Sequence, residues 1–123
     1  MHDSPWRKII QKKILIVDDE VDFLASLTEV FQDEGYIVET AENGREALER
    51  LAGASPPNVV ILDLSMPVMS GIEVYSTMRA DPQLASIPVI VSTSDPARAP
   101  SGALVIKKPI NLDRMLEAVQ RFR

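Results

Sequence analysis

The residues with the clearest chemical potential in this chain are three aspartates at the ends of two apolar runs. "ILIV" runs into Asp18 and Asp19, with Glu20 next, and "VVIL" runs into Asp63. Two further apolar runs end on other reactive types. "IPVIV" leads to Ser92, Thr93 and Ser94, and "ALVI" leads to Lys107, Lys108 and Pro109. Three carboxylates brought to about 4 Å would repel by roughly 4 kcal/mol per pair at an effective dielectric of about 20, and one lysine offsets only part of that. An all-oxygen set without cysteine or a suitable histidine suits a hard cation, Mg²⁺ or Mn²⁺, rather than zinc. A hydroxyl and a lysine beside such an ion make a pocket for a tetrahedral oxyanion, which is the equipment of phosphoryl transfer.

Each residue also has a plainer use. Asp18 or Asp19 alone would cap the helix that follows. Asp63 alone could open the turn before Met66-Pro67. Thr93 is an ordinary β-branched strand residue, and a single lysine such as Lys108 is usually a solvated cation. Only a fold that gathers all of them at one edge favours a shared site.

The intervening pattern supplies that fold. Short β-branched runs at Ile14–Val17, "YIVETA", Val59–Leu62, "IPVIVST" and "ALVIKKP" alternate with helical periodicity. The first helix, over residues 21–34, carries Leu24, Leu27, Val30 and Phe31 at spacings of three and four, with Gly35 as its stop. "ENGREALERLAG" starts near Asn43, turns Ala47, Leu48 and Leu51 inward and ends at Gly53. "SGIEVYSTMRAD" repeats Ile72, Tyr75 and Met78. The last helix is capped by Asn111, with Leu112, Met115, Leu116 and Val119 on one face. Strands apolar on both faces and alternating with helices predict a parallel sheet covered on both sides. Ligands of such sheets bind beyond the carboxyl ends of the strands, which is where these residues fall.

Composition excludes several classes. At 123 residues the chain fits one domain. Its 13 Lys and Arg against 18 Asp and Glu, a net charge of −5, argue against direct nucleic-acid or membrane-surface binding. No apolar run is long enough to span a bilayer. The absence of cysteine fits a reducing cytoplasm. Residues 1–12 read as a polar extension with no secretory h-region, either a disordered tail or one that Trp6 and Ile9 pin in part to the body. His2, in that extension, is no obvious internal phosphodonor. Low aromatic content and the lack of a Gly-rich phosphate loop argue against flavin.

Four segments in order, "ILIVDDE", "DLSMPVMSG" with its D-x-x-M-P-x-x-x-G pattern, "IPVIVSTS" and "KKP", resemble the receiver (response-regulator) domain of two-component signalling. The resemblance covers about residues 12–123. It implies a flavodoxin-like, doubly wound (βα)5 three-layer α/β sandwich around a five-stranded parallel sheet, with residues 13–123 as the receiver domain. It implies that Asp63 accepts a phosphoryl group from a histidine kinase or a histidine phosphotransfer protein. Asp19, Asp63 and the Ser65 carbonyl would bind Mg²⁺ directly and Asp18 through water, with Mn²⁺ as a substitute. Thr93 would hydrogen-bond the phosphoryl group and Lys108 would neutralise it. Ser65 and Asp95 would tune a slow self-dephosphorylation. The unit would be a cytoplasmic phosphorylation switch rather than a conventional enzyme, a monomer or weak dimer acting on an unknown downstream protein. With Arg123 just past the last helix, no output domain is expected within this sequence, which is either a stand-alone regulator or one domain of a longer kinase or regulator.

The sequence departs from this family in two places. Between Thr93 and Lys108 lies only "SDPARAPSGALVIK". A strand takes about five of these residues, and Pro96 and Pro100 fall among the rest. The fourth helix is therefore expected to be missing or cut to about one turn. The switch position three before the lysine, usually aromatic, is Val105. Two rival readings follow: a pseudo-receiver that binds partners without accepting phosphate, and a haloacid-dehalogenase-like phosphatase. The latter requires a second acid where this chain has Ser65.

Overall fold

A computed structural model describes residues 12–53 and 55–122, so Trp6, Ile9 and His2 lie outside the described residues. The chain runs β1 (Lys13–Val17), α1 (Val21–Asp33), β2 (Ile37–Ala41), α2 (Gly44–Leu51), β3 (Val59–Asp63), α3 (Gly71–Ala80), β4 (Val89–Thr93), a 3₁₀ turn (Pro96–Arg98), β5 (Leu104–Lys107) and α4 (Leu112–Gln120). The five strands form one parallel sheet in the order β2-β1-β3-β4-β5. This is the expected flavodoxin-like arrangement. Among the described residues no helix is long and apolar enough to cross a membrane.

Every residue of β3 is buried. Alternation sends Val59 and Ile61 to one face, where they join Ile14, Ile16 and Ile90 against α1 and α4. Val60 and Leu62 point the other way, with Leu15 and Val17 against α2 and α3. Each fully buried branched side chain stabilises by about 1.5–3 kcal/mol relative to exposure, so this two-sided packing fixes where the strand ends emerge.

Local signals set the helix boundaries. The Asn43 side chain accepts the Glu46 N–H at 2.9 Å, and Asn111 does the same for Arg114 at 3.1 Å. Ser70 and Glu73 form a reciprocal capping box at the start of α3. Gly35 follows α1 at φ 93°, the left-handed conformation that ends helices.

The inward face of α4 differs from expectation at Leu112, and that of α3 is narrower than its spacing of threes. In α3 the buried residues are Gly71, Val74 and Met78, while Ile72 and Tyr75 are only half-buried. A strict spacing of three drifts around a 3.6-residue helix, and the three-then-four pattern is the one that stays on the sheet. In α4, Ala118 joins Met115 and Val119 in the core, whereas Leu112 stays 45% exposed. Leu112 is the first residue of its helix and lines a groove with Phe23, Leu27 and Ile110. Val30 of α1 is half-buried beside the fully packed Leu27 and Phe31.

The β4–β5 connection contains a single turn of 3₁₀ helix, as the two prolines dictate. Pro96 opens it, and Gly102, at φ 83°, turns the chain into β5. β5 is an edge strand paired only with β4, and Val105 on it is half-buried.

Candidate functional site

The acid cluster assembles because β1 and β3 are neighbours in register, Val17 opposite Leu62. The next residue on each strand is an aspartate, so Asp18 and Asp63 emerge side by side. Asp18 is 1% exposed and Asp63 6% exposed, whereas Asp19 points outward to solvent. Oxygens of Asp18, Asp19 and Asp63 lie within 4.8 Å of one another. Asp18 is pinned twice: its N–H donates to the Ala41 carbonyl at 3.1 Å, and its Oδ1 accepts the Glu20 N–H at 2.9 Å.

Lys108 arrives from the far side of β4. Its N–H donates to the Thr93 carbonyl at 2.8 Å, which fixes where its side chain starts. The ammonium lies 2.8 Å from Asp18 Oδ2, 3.3 Å from Glu20 Oε1 and 3.5 Å from Asp63 Oδ1. It also sits 5.0 Å above the centre of the Phe23 ring. Burial works to lower the lysine pKa. The hydrogen bond and charge of Asp18, followed by Asp63 and Glu20, outweigh it and raise the pKa above 10.5.

Burial pushes Asp63 up from 3.8 to about 6, and the Asp18 charge pushes the same way. Lys108 opposes both and only partly succeeds. Asp63 is thus a carboxylate poised near neutrality, and added positive charge would keep it ionised. The oxygen-only donor set fits Mg²⁺, since one ammonium cannot balance the acids around it.

Thr93 ends β4 and is 4% exposed, next to Ser92, which pairs with Asp63 in the ladder. Its Oγ1 accepts the Asp95 N–H at 3.0 Å, which leaves the hydroxyl hydrogen available to donate. Of the hydroxyl cluster, Ser92 faces the opposite side of the sheet, its Oγ buried with no partner among the described residues, and Ser94 is exposed. Thr93 is therefore the hydroxyl suited to the site. Ser65 is exposed in the loop after Asp63, and Asp95 is exposed beyond Thr93.

That loop is shaped by Gly71 and Val68. Gly71 donates its N–H to the Leu64 carbonyl at 2.9 Å, and a Cβ at Gly71 would overlap the Asp63 carbonyl oxygen. Val68 takes φ 69°, a conformation that β-branched residues strongly disfavour, and is 75% exposed.

Three contacts had no sequence signal strong enough to find them: Phe23 beneath the lysine, Glu20 as its second carboxylate, and Arg98. The last donates from Nη1 to Ser65 Oγ at 3.3 Å, tying the β4–β5 connection to the loop after Asp63.

Comparison with known proteins decides the family. The response regulator receiver domain matches residues 14–120. The chain belongs to this family. Sporulation initiation phosphotransferase F of Bacillus subtilis is 35% identical over 121 residues, covering 93% of this chain and 95% of that protein. The polar-differentiation response regulator DivK of Brucella anthropi is 30% identical, covering 90% of this chain and 95% of that protein. Against a receiver protein of Anaeromyxobacter, 36% identical, the chain spans 46% of the longer partner. Among solved structures, the response regulator TrrA of Thermotoga maritima, in complex with Mg²⁺–BeF, superposes with a TM-score of 0.81 at 34% identity. That match covers 92% of this chain and all of TrrA. Receiver domains are the phosphoacceptor switches of two-component systems, and they work with histidine kinases or phosphotransfer proteins. The cluster of Asp18, Asp19 and Asp63 is the acidic pocket typical of their Mg²⁺ site.

Proposed function

We propose that Asp63 is the phosphoacceptor of a Mg²⁺-dependent receiver, loaded from a phosphohistidine on a kinase or phosphotransfer protein. The observation that carries this reading is the position of Asp63. It is a buried carboxylate at the reactive end of the central strand, raised to about 6, with Lys108 3.5 Å away. In the reaction an Asp63 carboxylate oxygen attacks phosphorus, the P–N bond to histidine breaks, and the departing imidazole nitrogen keeps the electron pair and then takes up a proton.

Asp19, Asp63 and the Ser65 carbonyl would hold the ion directly, with Asp18 acting through water. Mn²⁺ would serve in its place. The bound ion supplies positive charge that keeps Asp63 ionised and offsets charge on the phosphoryl oxygens. Lys108 offers a second positive charge at the same oxygens, and the Thr93 hydroxyl donates a hydrogen bond that orients the group. Ser65 and Asp95 flank the path of a water attacking the acyl phosphate and so tune its slow hydrolysis. Thr93 and Val105 occupy the switch positions. Residues 13–123 form the working receiver and 1–12 an extension. The unit acts in the cytoplasm, as a monomer or weak dimer, on a protein target rather than on nucleic acid or membrane.

The phosphatase alternative is disfavoured by Ser65, a residue without a carboxylate where that chemistry needs one. The pseudo-receiver alternative is disfavoured by the full set of Asp18, Asp19, Asp63, Thr93 and Lys108. The test is transfer from a purified phosphohistidine protein. Radiolabel should move to this chain only with Mg²⁺ and should be lost in Asp63→Asn. Label that persists in that variant, or moves equally in chelator, would overturn the assignment.

A further inference from the structure

The shortened β4–β5 connection brings an arginine to the reactive edge. Asp95 donates its N–H to Thr93 Oγ1 at 3.0 Å, and Arg98 donates its backbone N–H to the Asp95 carbonyl at 3.1 Å. The Arg98 side chain then reaches Ser65 Oγ at 3.3 Å. These three bonds run from the end of β4 to the loop after β3, linking the segment that follows Thr93 to the segment that follows Asp63. The two bonds at Asp95 are backbone-anchored, so the turn that carries Arg98 is held to Thr93. Its guanidinium is attached at the far end by only one bond to a neutral hydroxyl.

Charge makes that weak attachment meaningful. Lys108 is already shared among Asp18, Glu20 and Asp63. Among the described residues Arg98 forms no ion pair, and its guanidinium has donors to spare. A phosphoryl group on Asp63 would replace a carboxylate of charge −1 with an acyl phosphate of about −2, and would place three acceptor oxygens two residues from Ser65. A guanidinium satisfies such oxygens in a forked geometry that an ammonium cannot reproduce.

Resting on the proposed phosphorylation of Asp63, we infer that Arg98 is the second cationic side chain of the phosphoryl-binding site, carried on the shortened connection and drawn from Ser65 onto the phosphoryl oxygens. The binding of that group is thereby coupled to the position of residues 95–103. This gives the segment a way to register phosphorylation without an aromatic residue at Val105.

Beryllofluoride, which stands in for the phosphoryl group when bonded to the Asp63 carboxylate, provides the probe. The full chain is titrated with it in saturating Mg²⁺, as the parent, Arg98→Gln and Arg98→Lys. Arg98→Gln should bind beryllofluoride at least about tenfold more weakly, with Arg98→Lys in between. Its affinity for Mg²⁺ alone should not fall. The ¹⁵Nε–H signal of Arg98 in the parent should shift on adding beryllofluoride and stay still in Asp63→Asn. Equal affinity of parent and Arg98→Gln, or an unmoved Arg98 signal in a parent that binds, overturns this inference and leaves the Asp63 assignment intact. A parent that binds no beryllofluoride, or an Asp63→Asn chain that binds it as well, overturns both.

Discussion

Lys108 Nζ sits 2.8 Å from Asp18 Oδ2 but 3.5 Å from Asp63 Oδ1, so the lysine is held first by an acid that is not the acceptor. Asp18 is the more deeply buried of the two carboxylates. Removing the ammonium would therefore leave a buried negative charge beside another acid. Lys108→Met should destabilise the metal-free chain by about 1–3 kcal/mol, the buried-pair cost discounted for the lysine's partial exposure. Adding Asp18→Asn should restore much of that loss. Urea unfolding at neutral pH measures both variants, and an unchanged midpoint for Lys108→Met would show that the contact carries no stability.

The raised pKa of Asp63 has a definite sign for stability. The unfolded chain releases this proton near 3.8, whereas the folded chain keeps it until about 6. In that window the folded state binds more protons, so the contribution of protonated Asp63 is present at low pH and is lost as pH rises through about 6. In chelator, Asp63→Asn should be more stable than the parent at neutral pH by about 1–3 kcal/mol, and the difference should shrink toward pH 4. A difference that is flat with pH would contradict the burial-driven shift.

Val68 holds a left-handed backbone, φ 69°, with its side chain 75% exposed, so it has strain and little packing to offset it. Val68→Gly should raise stability by about 1 kcal/mol, since the strain relieved exceeds the entropy that glycine adds to the unfolded chain. Thermal unfolding checks this, and a lower midpoint would mean that the Val68 side chain makes contacts that matter.

Gly71 is different, because the Asp63 carbonyl occupies the space a side chain would need. Gly71→Ala must displace the end of β3 and should cost several kcal/mol, roughly the upper end of overpacking effects. Far-ultraviolet circular dichroism and urea titration read it directly. A near-neutral result would show that the β3–α3 loop can yield.

The strand ends were legible because they obey simple rules. β3 is apolar throughout, which marks a strand covered on both faces, and the acid that stops it must lie at the sheet edge. Pro96 and Pro100 foretold the lost helix for an equally local reason, a missing donor and a forbidden backbone conformation. Ile72, Tyr75 and Met78 were enough to mark α3 as a helix, but they satisfy helical spacing only loosely, and Val74, with Met78, satisfies it better and faces the core. Arg98 and Ser65 are 33 residues apart, and Lys108 and Glu20 are 88 apart. No local pattern connects such pairs, since their meeting depends on strand order and on which way each loop turns. Val68 was hidden for another reason: nothing in a β-branched residue announces a left-handed backbone.

The central claim is that Asp63 takes up a phosphoryl group, and intact mass spectrometry tests it most directly. The chain is incubated with acetyl phosphate and Mg²⁺, beside Asp63→Asn and a chelator control. One added phosphoryl group is expected on the parent and none on either control. A folded, Mg²⁺-binding parent that keeps its unmodified mass, or an Asp63→Asn chain that gains the same mass, would contradict the account.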